Sequence, residues 1–127
     1  MSNTDLGKLK PGNFVMVEGE PCKVIDIAKS KPGKHGSAKA RVEVIGIFDG
    51  KKREIMKPAD ATIEVPIIEK KNAQVVSVSG DIVQIMDLDS YETFELSIPE
   101  ELKGRIEPGK EVVYWKVGNK SMIKDLR

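Results

Sequence analysis

The chain has 127 residues, with 21 basic residues, 20 acidic residues and one histidine, so its formal net charge is +1. This near balance excludes a globally polycationic protein, and any affinity for nucleic acid must come from a local patch. The single cysteine, Cys22, excludes an internal disulfide and suits a reducing compartment. No signal-peptide core and no membrane-length apolar run is present, so the sequence predicts a cytoplasmic protein without a membrane segment.

The first half of the chain alternates short apolar runs with turn residues. Residues 1–8 are polar and are predicted to be frayed. The segments predicted to be strands are Phe14–Val17, Cys22–Ala28, Arg41–Asp49, Lys51–Met56 and Ala61–Ile68. Short strands at this spacing, with turn chemistry between them, predict a small closed barrel.

Between the second and third predicted strands lies the basic stretch Lys29–Arg41. It holds four lysines, one arginine and the only histidine, with no acid among them. Pro32-Gly33 and Gly36 are turn residues, which places Lys34 and His35 at the apex of a hairpin loop. Composition alone is compatible with an ordinary solvated loop.

The polar run Glu69–Asn72 interrupts the apolar rhythm, which predicts a domain boundary there, between residues 1–69 and residues 70–127. Further strands are predicted at Gln74–Val78, Ile82–Met86, Tyr91–Leu96, Val112–Val117 and Ser121–Ile123. Ile98–Gly104 predicts a short helix, because proline stands near its start, acids in its first turn and glycine at its end. Three strands, a short helix and two strands is the order of an OB-fold.

The motif Pro32-Gly33-Lys34-His35-Gly36-Ser37-Ala38-Lys39 resembles the modification loop of the translation factor 5A family, the hypusine-containing proteins of archaea and eukaryotes. The similarity extends over nearly the whole chain and includes Leu9-Lys10-Pro11-Gly12. For the fold, the resemblance implies an all-β protein, with an SH3-like barrel followed by an OB-fold barrel.

For function, the resemblance implies that Lys34 receives a 4-aminobutyl group from spermidine. The modifying enzyme would be deoxyhypusine synthase, which uses NAD, and this chain would be its substrate. The residues that would present Lys34 are Lys31, Pro32, Gly33, His35, Gly36, Ser37, Ala38 and Lys39. The implied partner is the ribosome, where the modified side chain would meet rRNA and the P-site tRNA and promote peptide bonds at stalled sites such as consecutive prolines.

Several other kinds of site are excluded because the residues they require are missing. A phosphate-binding loop would need Ser or Thr after Gly33-Lys34, and position 35 is histidine. His35 and Cys22 are too few to form a metal site, and nothing in the sequence orients His35 for catalysis. The sequence therefore predicts no enzyme activity, cofactor, metal or small-molecule substrate. Lys29 and Arg41 remain as candidate RNA contacts beside the loop.

Three alternatives stay open at this point: a factor like bacterial elongation factor P with a different lysine modification, a structural two-barrel protein like the fungal Woronin-body protein, and a generic RNA-binding module. Tyr114 and Trp115 are adjacent in a predicted strand, so they point to opposite faces and at most one lies in the core. Tyr91 and the other member of that pair are candidate RNA contacts. The sequence does not distinguish deoxyhypusine from hypusine at Lys34.

Overall fold

The computed structural model describes residues 2–30 and 38–127. The chain divides into two compact units, Met1–Ile67 and Ile68–Arg127. Almost every element is a β-strand, and each unit is built on one curled sheet. The predicted all-β fold, an SH3-like unit followed by an OB-fold unit, is confirmed.

The described residues of the first unit form six strands around one apolar core. They are β1 (Ser2–Asp5), β2 (Phe14–Val17), β3 (Glu20–Lys29), β4 (Lys39–Gly46), β5 (Lys52–Pro58) and β6 (Thr62–Val65). Strands β2-β3-β4-β5 form a four-stranded antiparallel sheet, and β1 pairs with β6. Alternate residues of β2 and β4 point inward, and the core comprises Leu6, Leu9, Val15, Val17, Cys22, Val24, Ala40, Val42 and Val44.

The prediction that residues 1–8 are frayed is wrong over the residues described. Ser2–Asp5 pair with β6 along their whole length, and Leu6–Lys8 form a 3-10 turn. Leu6 is only 1% exposed and anchors this segment in the core. The side chains of β1 are polar because they lie largely at the surface. The strand is formed by backbone hydrogen bonds to β6, and amino-acid composition does not reveal such backbone pairing.

Strand β3, which leads to the basic stretch, contains a β-bulge. Its register against β4 shifts between Val24 and Asp26, so Ile25 is the extra residue. Val24 is 1% exposed, Ile25 is 39% exposed, and the next residue, Asp26, is exposed too, so the inward alternation resumes one residue later, with Ile27 packed against the core. A bulge increases the local twist and re-aims the strand beyond it. The bulge therefore determines the direction in which the outer part of the β3–β4 hairpin extends from the sheet.

The second unit is a five-stranded antiparallel sheet in the order β11-β10-β7-β8-β9. Its strands are β7 (Glu69–Ser79), β8 (Ile82–Asp87), β9 (Thr93–Ser97), β10 (Glu111–Val117) and β11 (Lys120–Leu126). The predicted order of three strands, one helix and two strands is confirmed. The helix is a single 3-10 turn, Glu100–Leu102, shorter than predicted, and Leu102 packs into the core.

Two local features of the second unit differ from what its composition suggests. The polar run 69–72, where the sequence predicts the domain boundary, begins β7 and pairs with Val113–Lys116 of β10. Polar residues there belong to a strand whose outer face is at the surface. Tyr91 was predicted to begin a strand, but it lies in the loop before β9 with a positive φ of 62°. Within the described residues, no helix has the length and hydropathy needed to span a membrane.

Candidate functional site

The basic stretch grows directly out of the β3–β4 ladder. Among the described residues, the last pair of the ladder is Lys29 opposite Ala40. One step further, the amide of Ser30 donates a hydrogen bond of 2.9 Å to the carbonyl of Lys39, and the amide of Lys39 lies 3.3 Å from Ser30 Oγ. The amide of Ala59 donates to the carbonyl of Ala38 at 2.7 Å, so the descending side of the loop is also held by the turn after β5.

Most of the predicted modification motif lies outside the described residues. This applies to Lys31, Pro32, Gly33, Lys34, His35, Gly36 and Ser37. The modified lysine and the turn residues around it therefore stay predictions. Of the motif's remaining members, Ala38 is half-buried and Lys39 is exposed.

A row of residues across three strands places two lysines beside the base of the loop. Lys29 pairs with Ala40, and Ala40 pairs with Lys57 on its other side. Directly paired residues share a row of the sheet, so the two lysines lie on either side of Ala40 in that row. Both lysines are exposed, whereas Ala40 is fully buried. Sequence reasoning missed Lys57, because only the β4–β5 register brings it next to Lys29.

Arg41 lies in the neighbouring row, opposite Ala28 and Met56. Its guanidinium is exposed and lies 3.8 Å from the carboxylate of Glu43, a surface pair of small energetic value. Met56 is 61% exposed. A surface cavity of about 320 Å³ is lined by Ala28, Lys29, Ser30, Lys39, Ala40, Arg41 and Met56. Three cations around a small apolar floor suit contact with a phosphate backbone and the flat groups attached to it.

The two aromatic neighbours in β10 behave as predicted and point to opposite faces. Tyr114 is buried in the core and donates a hydrogen bond to the carboxylate of Asp87. Trp115 is half-buried on the other face, and the Nζ atoms of Lys70 and Lys124 each lie 4.9 Å from the centroid of its ring. Tyr91 is 71% exposed.

Asp87 is the one buried charged side chain among the described residues. Burial alone would raise its pKa, but the hydrogen bond from Tyr114, those from the amides of Ser90 and Asp89, and the nearby Lys71 ammonium outweigh this effect and hold the pKa at about 2. The carboxylate fixes the start of the loop before β9. Across residues 2–30 and 38–127, no three acidic, histidine or cysteine side chains gather into a possible metal site.

Comparison with protein families matches both units. Residues 2–61 match the family described as translation initiation factor 5A-like, N-terminal. Residues 67–127 match the family described as eukaryotic elongation factor 5A hypusine, DNA-binding OB fold. Together the two matches cover nearly the whole chain.

Curated relatives and solved structures agree with this assignment. Translation initiation factor 5A of Methanospirillum hungatei is 54% identical over 111 residues, 87% of each chain. That of Pyrobaculum islandicum is 54% identical over 122 residues, 94% of this chain and 92% of the relative. The solved structure of eukaryotic translation initiation factor 5A from Methanococcus jannaschii has a TM-score of 0.90 and 48% identity, covering 99% of this chain and 94% of the other. The chain belongs to the translation initiation factor 5A family, whose members are translation factors with a hypusine domain.

Proposed function

We propose that this protein acts on the ribosome and that Lys34 is its modified residue, carrying deoxyhypusine or hypusine. The observation that supports this most directly is the base of the hairpin. Hydrogen bonds between Ser30 and Lys39 continue the β3–β4 ladder by one step, so the motif around Lys34 is attached to a hydrogen-bonded two-strand support. The family match supplies the chemistry expected of that motif.

The modification requires a lysine whose amine can become neutral and can enter an enzyme. A protonated amine is a poor nucleophile, so the transfer needs the neutral amine of Lys34. In the proposed reaction, deoxyhypusine synthase transfers the 4-aminobutyl group of spermidine to Nζ of Lys34. The C–N bond to the aminopropyl part of spermidine breaks, a new bond forms to Nζ, and 1,3-diaminopropane leaves with the proton that Nζ gives up. NAD takes up a hydride and returns it within the same turnover, so the net transfer needs no other oxidant. Lys34 ends with a longer side chain and an added amine.

The cations of the described hairpin base suit the ribosome as a partner. Lys29, Lys39 and Lys57 are exposed around the point where the ladder ends, and Arg41 adds a fourth cation. Such a cluster attracts the phosphates of rRNA and tRNA without reading their sequence. The long modified side chain would then order the acceptor end of the P-site tRNA, so that peptide bonds form faster at stalled sites such as consecutive prolines.

Mass spectrometry of the peptide that contains Lys34 tests the proposal. Protein from the native host should carry one 4-aminobutyl group at Lys34, with or without one added oxygen, and protein made in a bacterium that lacks the synthase should not. Incubating the bacterial protein with deoxyhypusine synthase, spermidine and NAD should add the group. An unmodified Lys34 in protein from the native host would refute the proposal.

A further inference from the structure

Charge in the second unit is divided sharply along the chain. Residues 72–102, which include β8, β9 and most of β7, contain seven acids and no lysine or arginine. The rest of the unit, residues 68–71 and 103–127, contains nine lysines and arginines against four acids. A polyanion approaching the unit is therefore repelled by the β8–β9 side and attracted to the side that carries β10 and β11.

The β8–β9 side is where many OB-folds bind oligonucleotides, and here it lacks the groups for that task. Its outward side chains alternate with the buried Val83 and Ile85. They are Ile82, Gln84, Met86, Thr93, Glu95 and Ser97. None is aromatic or basic and one is acidic, so this face offers no stacking ring and no cation to a phosphate.

The outer face of β7, β10 and β11 offers both an aromatic ring and cations. Trp115 lies between Lys70 of β7 and Met122 of β11 in the strand register. The Nζ atoms of Lys70 and Lys124 are each 4.9 Å from the ring centroid, so both ammonium groups are held near one aromatic side chain. Lysine has a flexible stem, and the attraction between cation and ring limits where its charge can lie. Two cations restrained in this way are a preformed contact for neighbouring phosphates.

We propose that the outer face of β7, β10 and β11, centred on Trp115, Lys70 and Lys124, binds single-stranded RNA through its phosphates. The two ammonium groups contact the backbone, and the Trp115 ring holds them in place beside the apolar side chain of Met122. Binding of this kind is tolerant of sequence, because phosphate contacts carry no base information. The proposal rests on the second unit alone and does not depend on modification of Lys34.

The chain provides its own reporter, because Trp115 is its only tryptophan. Titrating the full-length protein with an unlabelled oligouridylate should change the Trp115 emission, because phosphates bound at the two ammonium groups alter the charge and solvent around the ring. The double variant Lys70→Ala/Lys124→Ala should bind a fluorescein-labelled oligouridylate several-fold more weakly by anisotropy. The slope of log affinity against log salt should fall by about 1.4, the value for two lost single-strand phosphate contacts. Trp115→Phe, which keeps a ring under the lysines, should retain most of the affinity.

A matched control removes two lysines from the same unit but from outside this face. Lys103 and Lys110 are ion-paired with Glu100 and Glu107 at 2.9 and 3.6 Å, and Lys103→Ala/Lys110→Ala should leave the salt slope nearly unchanged. Lys34→Arg should leave the Trp115 signal unchanged, so failure of the modification proposal is visible separately. Thermal unfolding of each variant verifies its fold. Unchanged Trp115 emission at saturating RNA, as expected if the face binds a protein instead, would overturn the proposal, and so would an equal loss in both double variants.

Discussion

Tyr114 donates the hydrogen bond of its buried hydroxyl to the carboxylate of Asp87, although the two residues lie 27 positions apart in the chain. The same carboxylate accepts hydrogen bonds from the amides of Asp89 and Ser90 at 2.7 and 2.9 Å. Asp87 ends β8 and Tyr114 lies in β10, so one buried group joins a central strand to the loop before β9. A buried carboxylate costs stability unless its hydrogen bonds are made, and here they are made by residues from both places.

This relationship predicts that the second unit loses stability in acid. Asp87 has a pKa of about 2 in the folded protein, below the value of about 3.9 in an unfolded chain. Its contribution is therefore complete above about pH 4 and is lost as the pH falls from about 4 towards about 2. Urea unfolding followed by Trp115 fluorescence should show this decline. Asp87→Asn should lower the free energy of unfolding by about 2–3 kcal/mol at neutral pH and flatten the decline.

Asp49 gives a matched control for that experiment. Its pKa is also about 2, chiefly because of the hydrogen bond from Arg53, but it lies in the first unit. Asp49→Asn should leave the pH dependence of the Trp115 signal unchanged. An equal effect of the two variants would show that Asp87 is not the group responsible.

Gly46 should not tolerate a side chain. A Cβ there would lie 2.0 Å from Asp49 Oδ1 and 3.0 Å from Arg53 Nη1, inside the ion pair that closes the β4–β5 connection. Gly46→Ala should destabilise the first unit by about 1–3 kcal/mol, since the Asp49–Arg53 pair must separate. The only cysteine, Cys22, is fully buried in that unit, so faster labelling by a thiol reagent reports its opening.

Gly50→Ala is the comparison for Gly46→Ala. Gly50 has a positive φ of 68° but open space around it, so alanine there adds backbone strain without a clash. It should accelerate Cys22 labelling less than Gly46→Ala does. The reverse order would show that strain, and not the displaced ion pair, dominates at this turn.

Lys29 and Lys57 should contribute to ribosome binding in a manner that depends on salt. Replacing both with alanine removes two exposed cations beside the end of the ladder, and the double variant should show a shallower decline of affinity with salt. Lys52→Ala, at the opposite end of β5, is the control and should alter the slope little. Sedimentation with ribosomes at several salt concentrations measures the salt dependence of affinity for the double variant and for the control. A slope unchanged by the double variant would place the RNA contact elsewhere.

Lys34→Arg separates charge from modification. The variant keeps a positive charge, but a guanidinium cannot accept the 4-aminobutyl group. We expect normal unfolding, partial ribosome binding and no acceleration of synthesis through consecutive prolines in a reconstituted translation assay. Unmodified wild-type protein should fail in the same assay. Full activity of Lys34→Arg would mean that modification is dispensable.

The sequence predicted strand order well and side-chain neighbourhoods poorly. Apolar alternation located β2 to the residue and gave the order of elements in the second unit. It could do so because a half-buried strand alternates apolar and polar residues along the sequence. Backbone pairing leaves no such mark, so the polar strand β1 and the polar start of β7 were missed. Lys57 lies beside the candidate site only because of the β4–β5 register, which the sequence does not show. The pairing of Lys70 with Trp115 likewise joins residues that are far apart in the sequence.

The hydrogen bonds between Ser30 and Lys39 mark where the described part of the β3–β4 hairpin meets the predicted modification motif. Substitutions in the strands below them act on the packing of the sheet, and Ala38, whose carbonyl accepts a hydrogen bond from the amide of Ala59, belongs to that support as well. The β3–β4 hairpin is therefore a suitable scaffold on which to engineer a different loop. A different reactive amino acid at position 34, or a loop taken from another protein, could be exchanged there while the sheet beneath keeps its own hydrogen bonds and core.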